Sequence, residues 1–70
     1  MSTHQELLDH LLTDLVNAHR DLESAVASMM RSTDSAQVDY WRKLVEYHDA
    51  KSSTIFKRLM RVWVKEEPAQ

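Results

Sequence analysis

The chain has no glycine among its 70 residues, and this one feature removes many of the folds open to a small protein. Glycine supplies the positive φ angles of two-residue β-hairpin turns and the close backbone approach of phosphate-binding loops. Rossmann and Walker nucleotide-binding motifs are therefore excluded, and a sheet of tight hairpins is not expected. The chain also lacks cysteine, which excludes disulfide bridges and thiolate metal sites.

The spacing of apolar residues predicts two α-helices. In each segment apolar residues recur every seven positions in neighbouring rows, which is the pattern of an amphipathic helix. Thr3 and Glu6 have the spacing of a capping box just before the first segment. The residues expected to form the core or a dimer interface are Leu8, Leu15, Leu22 and Met29 in the first segment, and Trp41, Val45, Ile55, Leu59 and Val62 in the second.

The heptad phase moves by two positions across residues 31–36, which predicts a turn there. Asp34 and Gln37 offer a new N-cap with its reciprocal partner, and Pro68 disfavours helix in the residue before it. The expected fold is all-α. It is a single helical-hairpin domain with helices over about 4–30 and 35–66, a turn at 31–35 and a frayed tail at 67–70. One continuous helix in a parallel coiled coil is the alternative.

The apolar stripes are wider than one partner helix can cover. A chain of 70 residues also buries only about 60% of its unfolded surface, so its own core is small. Two hairpins packed as a four-helix bundle would use the surplus surface. We therefore expect an antiparallel hairpin that forms a homodimer.

Two groups of side chains on the second helix are candidate partner-binding surfaces. Large aromatic side chains are enriched in binding hot spots, and basic neighbours suit an acidic partner or a phosphate backbone. The first group is Tyr40, Leu44, Tyr47 and Lys51; the second, on the opposite flank, is Phe56, Met60 and Trp63 with Arg58 and Arg61. The alternative is that the first group packs within the dimer. The alternative for the second group is that its basic residues lie beside the acidic first helix within the hairpin and balance its charge, since residues 1–30 carry five acids and one base.

Histidine and serine at inward positions predict a polar layer. His19 and His48 fall on facing sides of an antiparallel hairpin, with Ser52 one turn further along. Such a layer fixes register in some helical bundles. The alternatives are a proton-sensitive interface and a zinc site formed by the imidazoles of two chains. No ligand motif of short spacing is present, so no metal or cofactor is expected.

Composition and motif content favour an interaction protein. The net charge of −2 gives no global attraction to nucleic acid, and no nucleophile is paired with a base, so no enzyme is expected. We expect an adaptor, antagonist or regulator that binds a larger protein through helix two. The alternatives are a nucleic-acid-binding dimer acting as a transcriptional or RNA regulator, and a purely structural dimerisation module.

The predicted hairpin resembles known small proteins in shape alone. Its architecture and length are similar to those of a plasmid copy-number protein that holds paired RNA loops, and to phage-encoded antagonists of host regulators. No sequence motif is shared, so the resemblance implies shape and a mobile-element setting only. With no signal-peptide pattern and no long apolar run, a cytoplasmic location without membrane contact is expected.

Overall fold

The computed structural model describes the backbone of residues 3–66 and the side chains of residues 3–64. Two helices, α1 (His4–Arg31) and α2 (Ser35–Glu66), pack against each other as a hairpin. The all-helical hairpin predicted from the heptad phase is confirmed, and the continuous rod is excluded. The helix bounds lie within one residue of 4–30 and 35–66. The predicted tail at 67–70 lies outside the described residues.

The first helix begins with the capping box that the sequence predicts. The backbone N–H of Glu6 donates to Thr3 Oγ1 at 3.0 Å, and the N–H of Thr3 donates to Glu6 Oε1 at 2.7 Å. These two bonds satisfy amide groups that have no partner within the helix. The Glu6 carboxylate also lies in the first turn, where it complements the helix dipole.

The turn forms without any left-handed residue. Serine stands at the C-cap: the N–H of Ser32 donates to the Met29 carbonyl at 3.1 Å and its hydroxyl donates to the Ser28 carbonyl at 2.8 Å. Ser32 itself has extended backbone angles, φ −76° and ψ 138°. Within the described chain no residue has a positive φ, which explains how a glycine-free sequence reverses direction.

The second helix starts at the predicted place but without the predicted side-chain cap. The Asp34 carbonyl accepts the N–H of Val38 at 3.0 Å, which makes Asp34 the first residue bonded into α2. The reciprocal side-chain bonds expected between Asp34 and Gln37 are not formed in the described structure, and both side chains are exposed. The prediction is wrong in this detail, since the backbone alone closes the first turn.

The contact between the helices is centred on a narrow row of α1. Its members are Leu8, Leu11, Ala18 and Ala25, each at most 6% exposed. Alanine at two of these positions lets the helix backbones approach closely, because it fills little of the space between them. Among the side chains described in α2, none is fully buried. The single hairpin is a slender body of 55 × 18 × 15 Å with a thin core.

The expected core residues fall around this row. Leu8 is buried, whereas Leu15, Leu22 and Met29 are half-buried at its edge. On α2 the expected residues are also half-buried, and they are Trp41, Val45, Ile55, Leu59 and Val62. Leu8 thus shares the buried positions of α1 with Leu11, Ala18 and Ala25, whereas the other members of the Leu8–Met29 row lie at the edge of the contact.

Candidate interaction surfaces

One side of the hairpin carries a continuous group of exposed apolar side chains. We call it the apolar face; its members are Leu12 and Val16 of α1 with Phe56, Met60, Trp63 and Val64 of α2. Each of these side chains is between 42% and 53% exposed. Single exposed apolar residues are ordinary on a protein surface, whereas this group is contiguous and is formed by two helices.

Helical spacing explains why these residues share one side. Leu12 and Val16 are four residues apart on α1, and Phe56, Met60 and Trp63 are four and three residues apart on α2. The exposed apolar residues of α1 and those of α2 meet across a groove of about 300 Å³ near the chain termini. Its lining residues are Gln5, Leu8, Asp9, Leu12, Leu59, Met60 and Trp63. The six residues therefore lie in the half of the hairpin away from the turn, which we call the open end.

Toward the middle of the hairpin the same side becomes polar. A wider groove of about 650 Å³ joins Val16 and Phe56 to charged and hydroxyl-bearing side chains, which are His19, Arg20, Glu23, Asp49, Ser52 and Ser53. His19 Nε2 lies 3.5 Å from Glu23 Oε2, one helical turn away. The side is therefore apolar at the open end and charged further toward the turn.

The predicted buried polar layer is not formed within one chain. The His19 side chain is 62% exposed, because it lies at the edge of α1 and not in the contact row of Ala18 and Ala25. His48 is half-buried, and its Nδ1 is enclosed without a hydrogen-bond partner. The Ser52 hydroxyl is bonded locally, donating to the Asp49 carbonyl at 3.1 Å. For the single hairpin the prediction is wrong.

The opposite side carries the tyrosine face, which we define as Tyr40, Tyr47 and Lys51 with Leu44 between them. Tyr40 and Tyr47 are 59% and 58% exposed, and Leu44 is half-buried. Each tyrosine packs edge-on against its neighbour in sequence, Tyr40 on Trp41 and Tyr47 on His48, with ring centroids 5.2 Å apart. Each tyrosine ring therefore contacts one neighbouring ring and is exposed to solvent on its other sides.

The charges around the tyrosine face have both signs. Lys51 shares a shallow depression with Asp14, Asn17 and Asp21 of α1. The acids of α1 thus face a base of α2 across the hairpin, as charge matching requires. Among the described side chains other than His4, however, each ion pair joins residues of one helix, such as Arg42 and Asp39 at 3.1 Å.

The basic residues near the end of α2 lie beside the apolar face. Lys57 and Arg61 line a depression with Phe56, Met60 and Val64. Arg58, predicted to belong to the same surface, is exposed but is not part of that depression. The structure thus brings Phe56, Met60, Trp63 and Arg61 together and sets them apart from the tyrosine face.

Sequence reasoning missed the contribution of α1 to the apolar face. Leu12 and Val16 belong to the wide apolar stripe of helix one, and neither is among the residues predicted to bind a partner. Their spacing of four residues at the edge of that stripe is the signal that identifies them. Val64 follows Trp63 and was also missed. The structure reveals that these residues and the aromatic group of α2 lie on the same side.

In the described part of the chain, no three histidine, aspartate or glutamate side chains are grouped as ligands for a metal ion. Neither of the two helices, over the residues described, has an apolar run long enough to cross a bilayer.

No protein-family model matches the sequence, and searches of curated proteins and of solved structures return no match.

Proposed function

We propose that the chain is a non-enzymatic interaction protein that works as a homodimer and binds a larger protein through its tyrosine face. The observation that carries the proposal is the ratio of buried to exposed apolar residues. Among the described residues of the hairpin, four hydrophobic residues are buried, whereas nine large hydrophobic residues are at least 42% exposed. Contact with other protein surfaces would remove this apolar area from water.

The apolar face and the tyrosine face lie on opposite sides of the hairpin, so each can bind a different partner. The apolar face is formed by both helices and is rich in aliphatic and aromatic carbon, as in the core of a helical bundle. The tyrosine face combines aromatic rings, hydroxyl groups and a lysine, which is the composition of a reversible binding surface. We therefore assign Phe56, Met60 and Trp63 to the second copy and Tyr40, Leu44, Tyr47 and Lys51 to the larger protein.

Charge supports a protein partner over a nucleic acid. Phosphate contacts need clustered cations, and Lys51 shares its depression with two aspartates. The overall charge is −2. A nucleic-acid-binding role would draw on Lys57 and Arg61 beside Phe56, a small cationic group at the open end. The cytoplasmic location expected from the sequence stays a prediction.

The test compares proteins captured by the wild-type chain, by Tyr47→Ala and by Met30→Ala in cells of the source organism. Met30 is 78% exposed and lies outside both faces, so it controls for loss of a large exposed side chain. We expect one captured protein to bind the wild type and Met30→Ala in a purified titration, and to bind Tyr47→Ala at least tenfold more weakly at unchanged helicity. Equal affinity for Tyr47→Ala would remove the tyrosine face from the proposal.

Two further outcomes would favour the alternative functions. A mobility shift of RNA or DNA at low salt that disappears in Lys57→Ala would favour a nucleic-acid regulator. Capture of no protein other than the chain itself, in repeated experiments with intact dimer, would favour a structural dimerisation module. Either result contradicts the proposed binding of a larger protein.

A further inference from the structure

We propose that a second copy of the chain covers the apolar face with the two hairpins parallel, turn beside turn, so that α1 of each chain packs on α2 of the other. The inference rests on the homodimer in the proposed function and adds which surface is used and in which orientation. It does not depend on the identity of the larger protein, which would bind on the opposite side of each hairpin.

The exposed apolar area is large enough for a stable dimer. With about 200 Å² as the full area of a large apolar or aromatic side chain, six residues that are half exposed present on the order of 600 Å² per chain. Two copies would then bury about 1,200 Å², which lies within the range of specific interfaces before any polar contact at the rim is added. A single small ligand would leave much of this area in water.

The position of the apolar face along the hairpin determines the orientation. All six of its residues lie in the open-end half, and the turn-proximal part of the same side holds Arg20, Glu23 and Asp49. A parallel arrangement brings the apolar halves together over their full length. An antiparallel arrangement with full overlap would bury Phe56 and Met60 against charged side chains, which is costly when those charges are unpaired.

Charge complementarity favours the same orientation. A two-fold axis along the hairpin places α1 of one chain over α2 of the other with the open ends level. The rim of α1 next to the apolar face carries Asp9, and the rim of α2 carries Lys57 and Arg61. Opposite charges therefore meet on both edges of the parallel dimer. In the antiparallel dimer α1 would lie over α1, with Asp9 near the partner's Glu23.

The parallel arrangement also encloses the polar groove of each chain. His19 and Ser52 line the side of the hairpin that the second copy would cover. Four such side chains, two from each chain, then lie in one layer of the four-helix bundle. The polar layer that is absent from the single hairpin would thus form between two chains, where buried polar groups can fix register.

The first test measures dimer dissociation by sedimentation equilibrium. Phe56→Asp places a charge in the centre of the proposed interface, and we expect it to weaken the dimer at least a hundredfold. Ala50→Asp makes a similar change at an exposed position on the outer side of α2, and dimerisation should stay within twofold of the wild type. Equal dimerisation of Phe56→Asp and the wild type would overturn the proposal.

Charge variants keep the test valid if Phe56→Asp fails to fold. Asp9→Lys creates repulsion from Lys57 at both rims, and we expect it to weaken the dimer about tenfold. The added substitution Lys57→Glu should restore most of that loss in the parallel dimer. If the double variant dimerises no better than Asp9→Lys, the pairing of α1 with α2 across the interface is wrong.

The second test measures the orientation directly. The chain has no cysteine, so a Thr33→Cys variant takes one spin label at the exposed turn. In the parallel dimer the two turns are adjacent, and labels should be less than about 30 Å apart because packed helices lie about 10 Å from each other. A distance near the 55 Å length of the hairpin, or longer, would overturn the parallel arrangement. Loss of partner binding in Tyr47→Ala, with dimerisation intact, is a separate result that bears on the proposed function alone.

Discussion

Replacing Ala18 by leucine tests the close packing of the two helices. Ala18 is 2% exposed and lies between α1 and α2, near Lys51 and Ile55. Because Ala18 is this deeply buried, the extra atoms of a leucine must push the helices apart or adopt a strained rotamer. Overpacking of this kind costs about 1–3 kcal/mol. For a domain of this size, 1 kcal/mol lowers the Tm by about 4–8 °C, so we expect a decrease on the order of 10 °C.

The control for this substitution is Ala50→Leu on the exposed side of α2. Alanine and leucine have similar helix propensities, so the change should alter stability by less than about 0.5 kcal/mol at an exposed position. Thermal unfolding is followed by far-UV circular dichroism at one fixed protein concentration, because a dimer makes the Tm depend on concentration. If Ala18→Leu and Ala50→Leu melt at the same temperature, the helices do not meet at the Ala18 row and the described packing is refuted.

Three further substitutions test individual contacts by the same melting assay. Thr3→Ala removes the hydroxyl that accepts the Glu6 N–H and should cost about 1 kcal/mol, whereas Thr13→Ala, at an exposed position inside the helix, should not destabilise the chain. Leu11→Ala should cost about 2–4 kcal/mol because Leu11 is 5% exposed, and a cost below about 1 kcal/mol would show that it is not in the core. Arg42→Ala should change stability by less than about 0.5 kcal/mol, since its ion pair with Asp39 is exposed; a large loss would mean that Arg42 has another partner.

Local features of the fold could be predicted from the sequence because they depend on short spacings. The capping box needs only Thr3 and Glu6, and the turn follows from a shift in heptad phase that no single straight helix could satisfy. The absence of glycine did not prevent a turn, because Ser32 closes the end of α1 with its own hydroxyl and an extended backbone. The capping box and the Ser32 cap are each decided within about one helical turn.

The exact contact row could not be predicted because the apolar stripe is about half the circumference of α1. A stripe of that width contains both the contact with α2 and the surface left exposed, and the heptad pattern does not separate them. Leucine is larger and more apolar than alanine, so the sequence pattern favours the Leu8–Met29 row as the predicted core. In the structure Ala18 and Ala25 are the most deeply buried of the described residues of α1, at 2% and 3% exposed. The same ambiguity led to the prediction that His19 is buried.

The division of the candidate surfaces was predictable only in part. Spacing alone places Tyr40, Tyr47 and Phe56 on two flanks of helix two, and the structure describes them on two sides of the hairpin. Which residues of α1 join each flank depends on how the helices are rotated against each other. That rotation is a property of the packed hairpin, and it is why Leu12 and Val16 were not predicted to belong to the apolar face.

Small-angle scattering of the wild-type chain tests most directly whether a second copy covers the apolar face, because it reports mass and length together. At concentrations of tens of micromolar, above the Kd of about 1 μM typical of a modest interface, we expect twice the 8.2 kDa of one chain. The maximum dimension should stay close to the 55 Å of a single hairpin. A mass of 8.2 kDa, or a dimer much longer than one hairpin, would contradict the proposed side-by-side bundle.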